Sequence, residues 1–228
     1  MAKTSRKRSR REPLTRERIE RAALELIERD GLEGFSTRRL GEALGCEAMS
    51  IYHHFPSKVH LLDALVERVL AEMVLPPHDA PWQVQLRDTA YGYRGAAHKY
   101  PKLFPYFALY RMNSPAGLRY INHILRGIHE AGADTETMAR VFRCVGYYLV
   151  GAGLDETAGY AKGPSSAAPV SDADVARDYP YVAAAGPYFK PEHFAATFDL
   201  GIEIFIEGIE HRLAAGKDRA PAGRSSAS

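Results

Sequence analysis

Apolar positions recur along this chain with the period of an α-helix, and no segment alternates with the period of a strand. In TRERIERAALELIERD, residues 15–30, Ile19, Ala22, Ala23, Leu26 and Ile27 follow i, i+3, i+4, i+7, i+8 spacing, and charges fill the other face. Thr15 suits the N-cap of that helix, and Gly31 suits a left-handed stop. A short second helix is predicted from Ser36 or Thr37 to Gly45. The segment CEAMSIYHHFPSK (46–58) carries a third, and Pro56-Ser57 separates it from a fourth that runs to about residue 74. Consecutive prolines in PPHDAP (76–81) mark a boundary, because they cannot continue a helix. Beyond it, helical patterns cover about 82–99, 101–111, 115–131, 134–156 and 191–214. Residues 157–190 are rich in Ala, Gly, Pro and Ser and read as a long loop with a short helix at 171–178. The fold class is all-α.

Composition narrows the picture without redirecting it. The chain has 228 residues, 46% apolar and 25% charged, enough for one large domain or two smaller ones. The net charge of +2 hides an asymmetry: residues 1–11 carry six Lys or Arg and no acid, while 76–228 carry sixteen of each sign. A basic arm of this kind is drawn to an anionic polymer or serves as a solubilising tail. Cys46 and Cys144 stand far apart with no partner motif, which fits a reducing cytoplasm. No apolar run reaches membrane-spanning length, so no membrane partner is expected.

The second and third helices together read TRRLGEALGCEAMSIYHHF. Leu40, Leu44, Cys46 and Ile51 are spaced to share a small core between two crossing helices. Gly41 is small where they approach, and Gly45 can take the positive φ of a tight turn. The alternative is an ordinary αα-hairpin, but the shortness and polarity of the third helix favour a helix-turn-helix with the 15–30 helix packed behind it. In such a unit one face of the third helix packs and the other enters the major groove. Ala48, Met49 and Ser50 then lie nearest the bases, Tyr52 and His53 can donate to phosphates, and Thr37 and Arg38 open the preceding helix within reach of phosphate or guanine. Lys58 begins the fourth helix and can clamp the backbone. Adjacent His53 and His54 point about 100° apart, which suits groove contacts better than zinc; no metal or cofactor is implied.

The run from about 15 to 65 resembles the tetracycline-repressor (TetR) family, most specifically in Tyr52, His54, Phe55, Lys58 and Leu61, its Y-x-H-F-x-x-K-x-x-L run. The resemblance implies a homodimeric transcriptional regulator, usually a repressor, whose carboxyl-terminal domain binds a small molecule and changes the spacing of two reading heads on a palindromic operator. By matching position it places DNA contacts at Thr37, Arg38, Ala48, Met49, Ser50, Tyr52, His53 and Lys58. Ala48 and Met49 are poor hydrogen-bonders, so sequence discrimination is expected to rest on Arg38, Ser50, thymine-methyl contacts and DNA shape.

The second half of the chain supplies candidates for the small-molecule site. Phe104, Phe107, Tyr110, Met112, Tyr120, His123, Phe142 and Tyr147 combine apolar rings with polar tips. They suit either core packing or a pocket for a hydrophobic or aromatic effector. Two helices look built to meet their own copies, the alternative being that the same faces bury inside the subunit. In 191–214 Phe194, Phe198, Ile202, Phe205, Ile209 and Leu213 form a stripe with Gly201 and Gly208 on another face; in 134–156 Met138, Val141, Val145 and Leu149 run beside Gly146, Val150 and Gly153. The expected organisation is a flexible basic arm (1–14), a helix-turn-helix domain (15–75), a helical ligand-binding and dimerisation domain (76–214) and a disordered tail (215–228). No hydrolase, Walker, Rossmann or zincin motif is present, so an enzyme is not expected. A regulator of DNA without a small-molecule ligand is the alternative.

Overall fold

The computed structural model describes residues 13–110, 112–158 and 170–219, and every regular element among them is helical. The basic arm through residue 12, residues 159–169 of the long loop and residues 220–228 of the tail lie outside the described residues. The helices are α1 (Arg16–Gly34), α2 (Thr37–Leu44), α3 (Ala48–Tyr52), α4 (Lys58–Glu72), α5 (Trp82–Lys99), α6 (Phe104–Leu109), α7 (Pro115–Glu130), α8 (Thr135–Ala158), α9 (Asp172–Asp178), α10 (Pro180–Ala185) and α11 (Phe194–Arg219). Two compact units divide the chain at Val66 and Glu67, inside α4.

In the first unit, the Thr15 hydroxyl caps α1 by accepting from the Arg18 amide, and Ser36 does the same for α2 from Arg39. Gly31 takes φ +79 as expected, but the chain regains helical geometry and continues to Gly34 across the kink. Ile19, Ala23, Leu26, Ile27, Leu40, Ile51, Phe55, Leu61 and Leu65 make the core; Leu44 and Cys46 are only half-buried. A contact that periodicity does not reveal fixes the entry to α2. Arg39 donates to the Gly34 carbonyl at 2.6 Å and to Asp30 at 2.7 Å.

In the second unit, α5 is central. Tyr93, Phe104 and Phe107 pack mutually with ring centroids 5.1–5.7 Å apart, Phe104 edge-on to the other two rings. Helix α11 buries Phe198, Ile202, Ile206 and Ile209. A Cβ on Gly201 would strike the Tyr148 ring, and one on Gly153 would meet Phe104 at 2.5 Å. These two glycines therefore serve close packing inside the subunit, not between copies, whereas Gly146 and Gly208 face open space. The segment after 170 is more helical than a loop: α9 is followed by α10 and short 3-10 turns at 186–189 and 191–193. Helix α11 also continues to Arg219, into the stretch expected to be tail.

Candidate nucleic-acid interface and effector region

The α2–α3 turn is set by its two glycines. Gly45 adopts φ 67, ψ 33 and closes α2, with the Cys46 amide bonded to the Gly41 carbonyl at 2.9 Å. A Cβ at Gly41 would stand 2.8 Å from the Cys46 carbonyl oxygen, so only glycine lets the third helix cross this closely. Ile51 is fully buried and anchors α3 from below. The opposite face is open. Met49 is 63% exposed, His53 is exposed, and Ala48 and Ser50 are half-buried at the start of the helix.

The flanking residues divide between anchoring and reaching outward. Thr37 Oγ1 and Tyr52 Oη lie 3.0 Å apart, so α2 and α3 are joined through a hydroxyl pair. One hydroxyl hydrogen is spent inside the pair and the other remains for a phosphate. Arg38 is exposed, 3.9 Å from Glu42 on the next turn, a pairing too weak in water to hold the guanidinium back. Lys58 departs from a simple phosphate clamp. Its Nζ donates to the Phe35 carbonyl at 2.9 Å and sits over the Phe35 ring, leaving two N–H donors. The rest of the Tyr52–Leu61 run is structural: Phe55 and Leu61 are buried, and Arg16 binds the His54 carbonyl while its guanidinium covers the Phe55 ring. Sequence reasoning missed Arg16, whose partner His54 lies far along the chain, and Arg39, which reaches back out of α2 to the end of α1.

In the second unit the predicted effector residues separate into groups. Phe104 and Phe107 are buried against Tyr93, which the sequence reading did not single out. Tyr120 and His123 lie buried on α7 beside a polar seam of α5. The Tyr120 hydroxyl donates to the Thr89 carbonyl, the Thr89 hydroxyl to the Gln85 carbonyl, and the Gln85 amide to the His78 and Ala80 carbonyls. The His123 ring sits 4.6 Å from that of His78, and its Nε2 has no hydrogen-bond partner. Desolvation first, then the nearby His78 and Arg126, push the His123 pKa below its ordinary value, which favours the neutral ring. Tyr110, Met112 and Phe142 are half-buried. Tyr147 is not brought to the others: it is 64% exposed and accepts from Arg143. Glu156 is tied to Arg94 at 2.8 Å and to His98 at 2.5 Å, a link between α5 and α8.

A short, outward-facing third helix on a glycine-closed turn, backed by two helices, is a helix-turn-helix DNA-binding unit. Residues 19–65 match the family described as bacterial regulatory proteins, tetR family, and residues 75–213 match the tetracyclin repressor-like C-terminal domain. The chain belongs to the TetR family of transcriptional regulators. It is 31% identical over 195 residues to the tetracycline repressor protein class A from transposon 1721 of Escherichia coli, covering 84% of this chain and 88% of that one. Among solved structures it is similar to a possible TetR family transcriptional regulator from Streptomyces coelicolor A3(2), with TM-score 0.74 and 27% identity over 86% of this chain and 99% of the other. A TetR variant from Acinetobacter baumannii AYE in complex with minocycline matches with TM-score 0.68 and 27% identity over 88% and 99%. Among the described residues no helix is long and apolar enough to cross a membrane.

Proposed function

We propose that α3 enters the major groove of a two-fold operator, one copy from each subunit, and that a small molecule in the carboxyl-terminal unit releases it. The protein is a dimeric, ligand-responsive DNA-binding repressor. Ala48, Met49 and Ser50 face the bases, Arg38 reaches a guanine edge, and the Thr37–Tyr52 pair, His53 and Lys58 meet phosphates. The single observation that carries this reading is the face of α3 left open above a fully buried Ile51.

The effector is hydrophobic or aromatic with one polar group, seated against Phe104, Phe107, Tyr110, Met112, Tyr120, His123 and Phe142. The unpartnered His123 Nε2 supports this, because a buried ring nitrogen without a partner favours a ligand that supplies one. The minocycline complex of the Acinetobacter relative supports a small-molecule effector for this chain. Tyr147 is left out of the pocket. With Leu200 and Ile204, both exposed, it belongs to the face proposed for the second subunit. The protein works in the cytoplasm, where its DNA is, and carries out no catalysis.

Fluorescence anisotropy on duplexes recovered from genomic fragments tests the scheme. Binding to one two-fold site is expected, weakening as salt rises and on addition of a cognate ligand from a lipophilic metabolite set. Equal affinity for all duplexes at every salt concentration would reject it.

A further inference from the structure

A cleft of about 640 Å³ opens along α5 on a different side from the aromatic cluster, and none of the predicted effector residues lines it. We infer that this cleft, walled by the last turn of α4, the 73–77 connector and α5, is a second small-molecule site that takes a flat aromatic cation.

Shape is the first argument. Asp88, Gly92, Gly95 and Lys99 follow i, i+4, i+7, i+11 along α5, so they share one stripe. Its middle is bare backbone. A Cβ at Gly95 would meet nothing within 4 Å, and one at Gly92 would meet only the Met73 methyl at 3.7 Å. Two glycines on one helical face make a flat floor that accepts a ring plane, where any larger side chain would hold it off. Tyr91, Tyr100 and the Met73 thioether stand around this floor, and rings and thioethers both pack well on aromatic faces. The volume lies within the range of drug-sized ligand sites.

Charge supplies the second argument. Two carboxylates line the cleft, but only one is free. Glu72 accepts from Lys99 Nζ and from the Tyr100 hydroxyl, each at 2.8 Å, with Arg68 3.4 Å away. Burial works to raise its pKa, yet these donors hold it net below the usual value, and the lysine charge is spent on it. Asp88 is exposed and pairs with no cation among the described residues. The uncompensated charge on the floor stripe is therefore one carboxylate, a turn from Gly92. A cationic ring gains from that carboxylate and from the tyrosine faces together; an anionic ring is repelled.

The site goes beyond the effector reading and stands apart from it. The experiment is a fluorescence titration of DNA-free, full-length protein with 9-aminoacridine, a flat cation, and with anthracene-9-carboxylate, a flat anion of similar size. The cation is expected to bind saturably and the anion at least tenfold more weakly. Gly95→Leu fills the floor and should weaken the cation at least tenfold; its exposed helical position leaves the fold intact, which circular dichroism checks. Asp88→Asn should weaken the cation three- to tenfold, and His123→Gln should leave it unchanged. No saturable binding, an affinity untouched by Gly95→Leu or Asp88→Asn, equal binding of the anion, or loss on His123→Gln each overturns the proposal. An effector that fails in His123→Gln while 9-aminoacridine still binds shows the two sites apart.

Discussion

At the residue scale, Arg38 and His123 carry different consequences. Arg38 has no strong partner to give up, since its contact with Glu42 is long and exposed. Arg38→Ala should therefore leave stability unchanged and weaken operator binding by about 1–3 kcal/mol. The loss should concentrate on one base pair if the side chain reads guanine. Competition between the operator and single-base variants measures this, and an equal loss on every duplex would assign Arg38 to phosphate. His123 acts through protonation. Its folded pKa is depressed below 6.5, so the unfolded chain binds more protons in the window just below that value, and stability must fall as pH falls through it. The melting temperature of the wild type should drop on acidification from neutral pH, and His123→Gln should flatten that slope. An unchanged slope would move the acid sensitivity to other groups.

At the scale of elements, the α2–α3 turn is the part whose chemistry was legible from letters alone. Its constraints are local: Gly45 needs a positive φ and Gly41 a missing Cβ, and both requirements arise within a few residues. Gly41→Ala should cost about 1–3 kcal/mol, since the added carbon meets a backbone carbonyl that cannot step aside. Thermal melts measure the cost, and operator affinity should fall with it as α3 tilts. Elsewhere legibility stopped where partners come from distant segments. The stripe of Val141, Val145 and Leu149 on α8, read as a face for a second copy, is instead buried inside the subunit. Tyr147, two residues past Val145, points about 200° round the helix and so away from the interior. Helical arithmetic contained that answer; weighting the residue by its aromatic character obscured it. Tyr93 went unmarked because its value comes from Phe104 and Phe107 on α6. Only the fold brings Arg94 and His98 to Glu156. Glu156→Gln should destabilise the second unit by about 3–5 kcal/mol, because it leaves the mostly buried Arg94 without its counter-charge; urea unfolding measures it.

At the scale of the molecule, function requires two reading heads, and the subunit surface shows where pairing belongs. Helix α11 uses one side for its own subunit, through Phe198, Ile202, Ile206 and Ile209. The other side leaves Leu200 and Ile204 about 60% exposed one turn apart, with open space at Gly208 a turn further on. Tyr147 and Gly146 offer a similar surface on α8. Apolar side chains on an outward helical face are best explained by burial against a copy of the same face, which a two-fold axis makes self-complementary. Leu200→Glu with Ile204→Glu should therefore yield a folded monomer, because neither position supports the subunit's own core. Sedimentation equilibrium measures the mass, and circular dichroism checks helicity. The operator consequence is large: a monomer loses the effective concentration that delivers the second head, and avidity of this kind contributes about 10²–10⁴ in affinity. Its affinity for an isolated half-site should match that of the wild type, since α3 is untouched. A double variant that remains dimeric places the interface elsewhere, and a monomer that holds the full operator as tightly as the wild type removes the need for two heads.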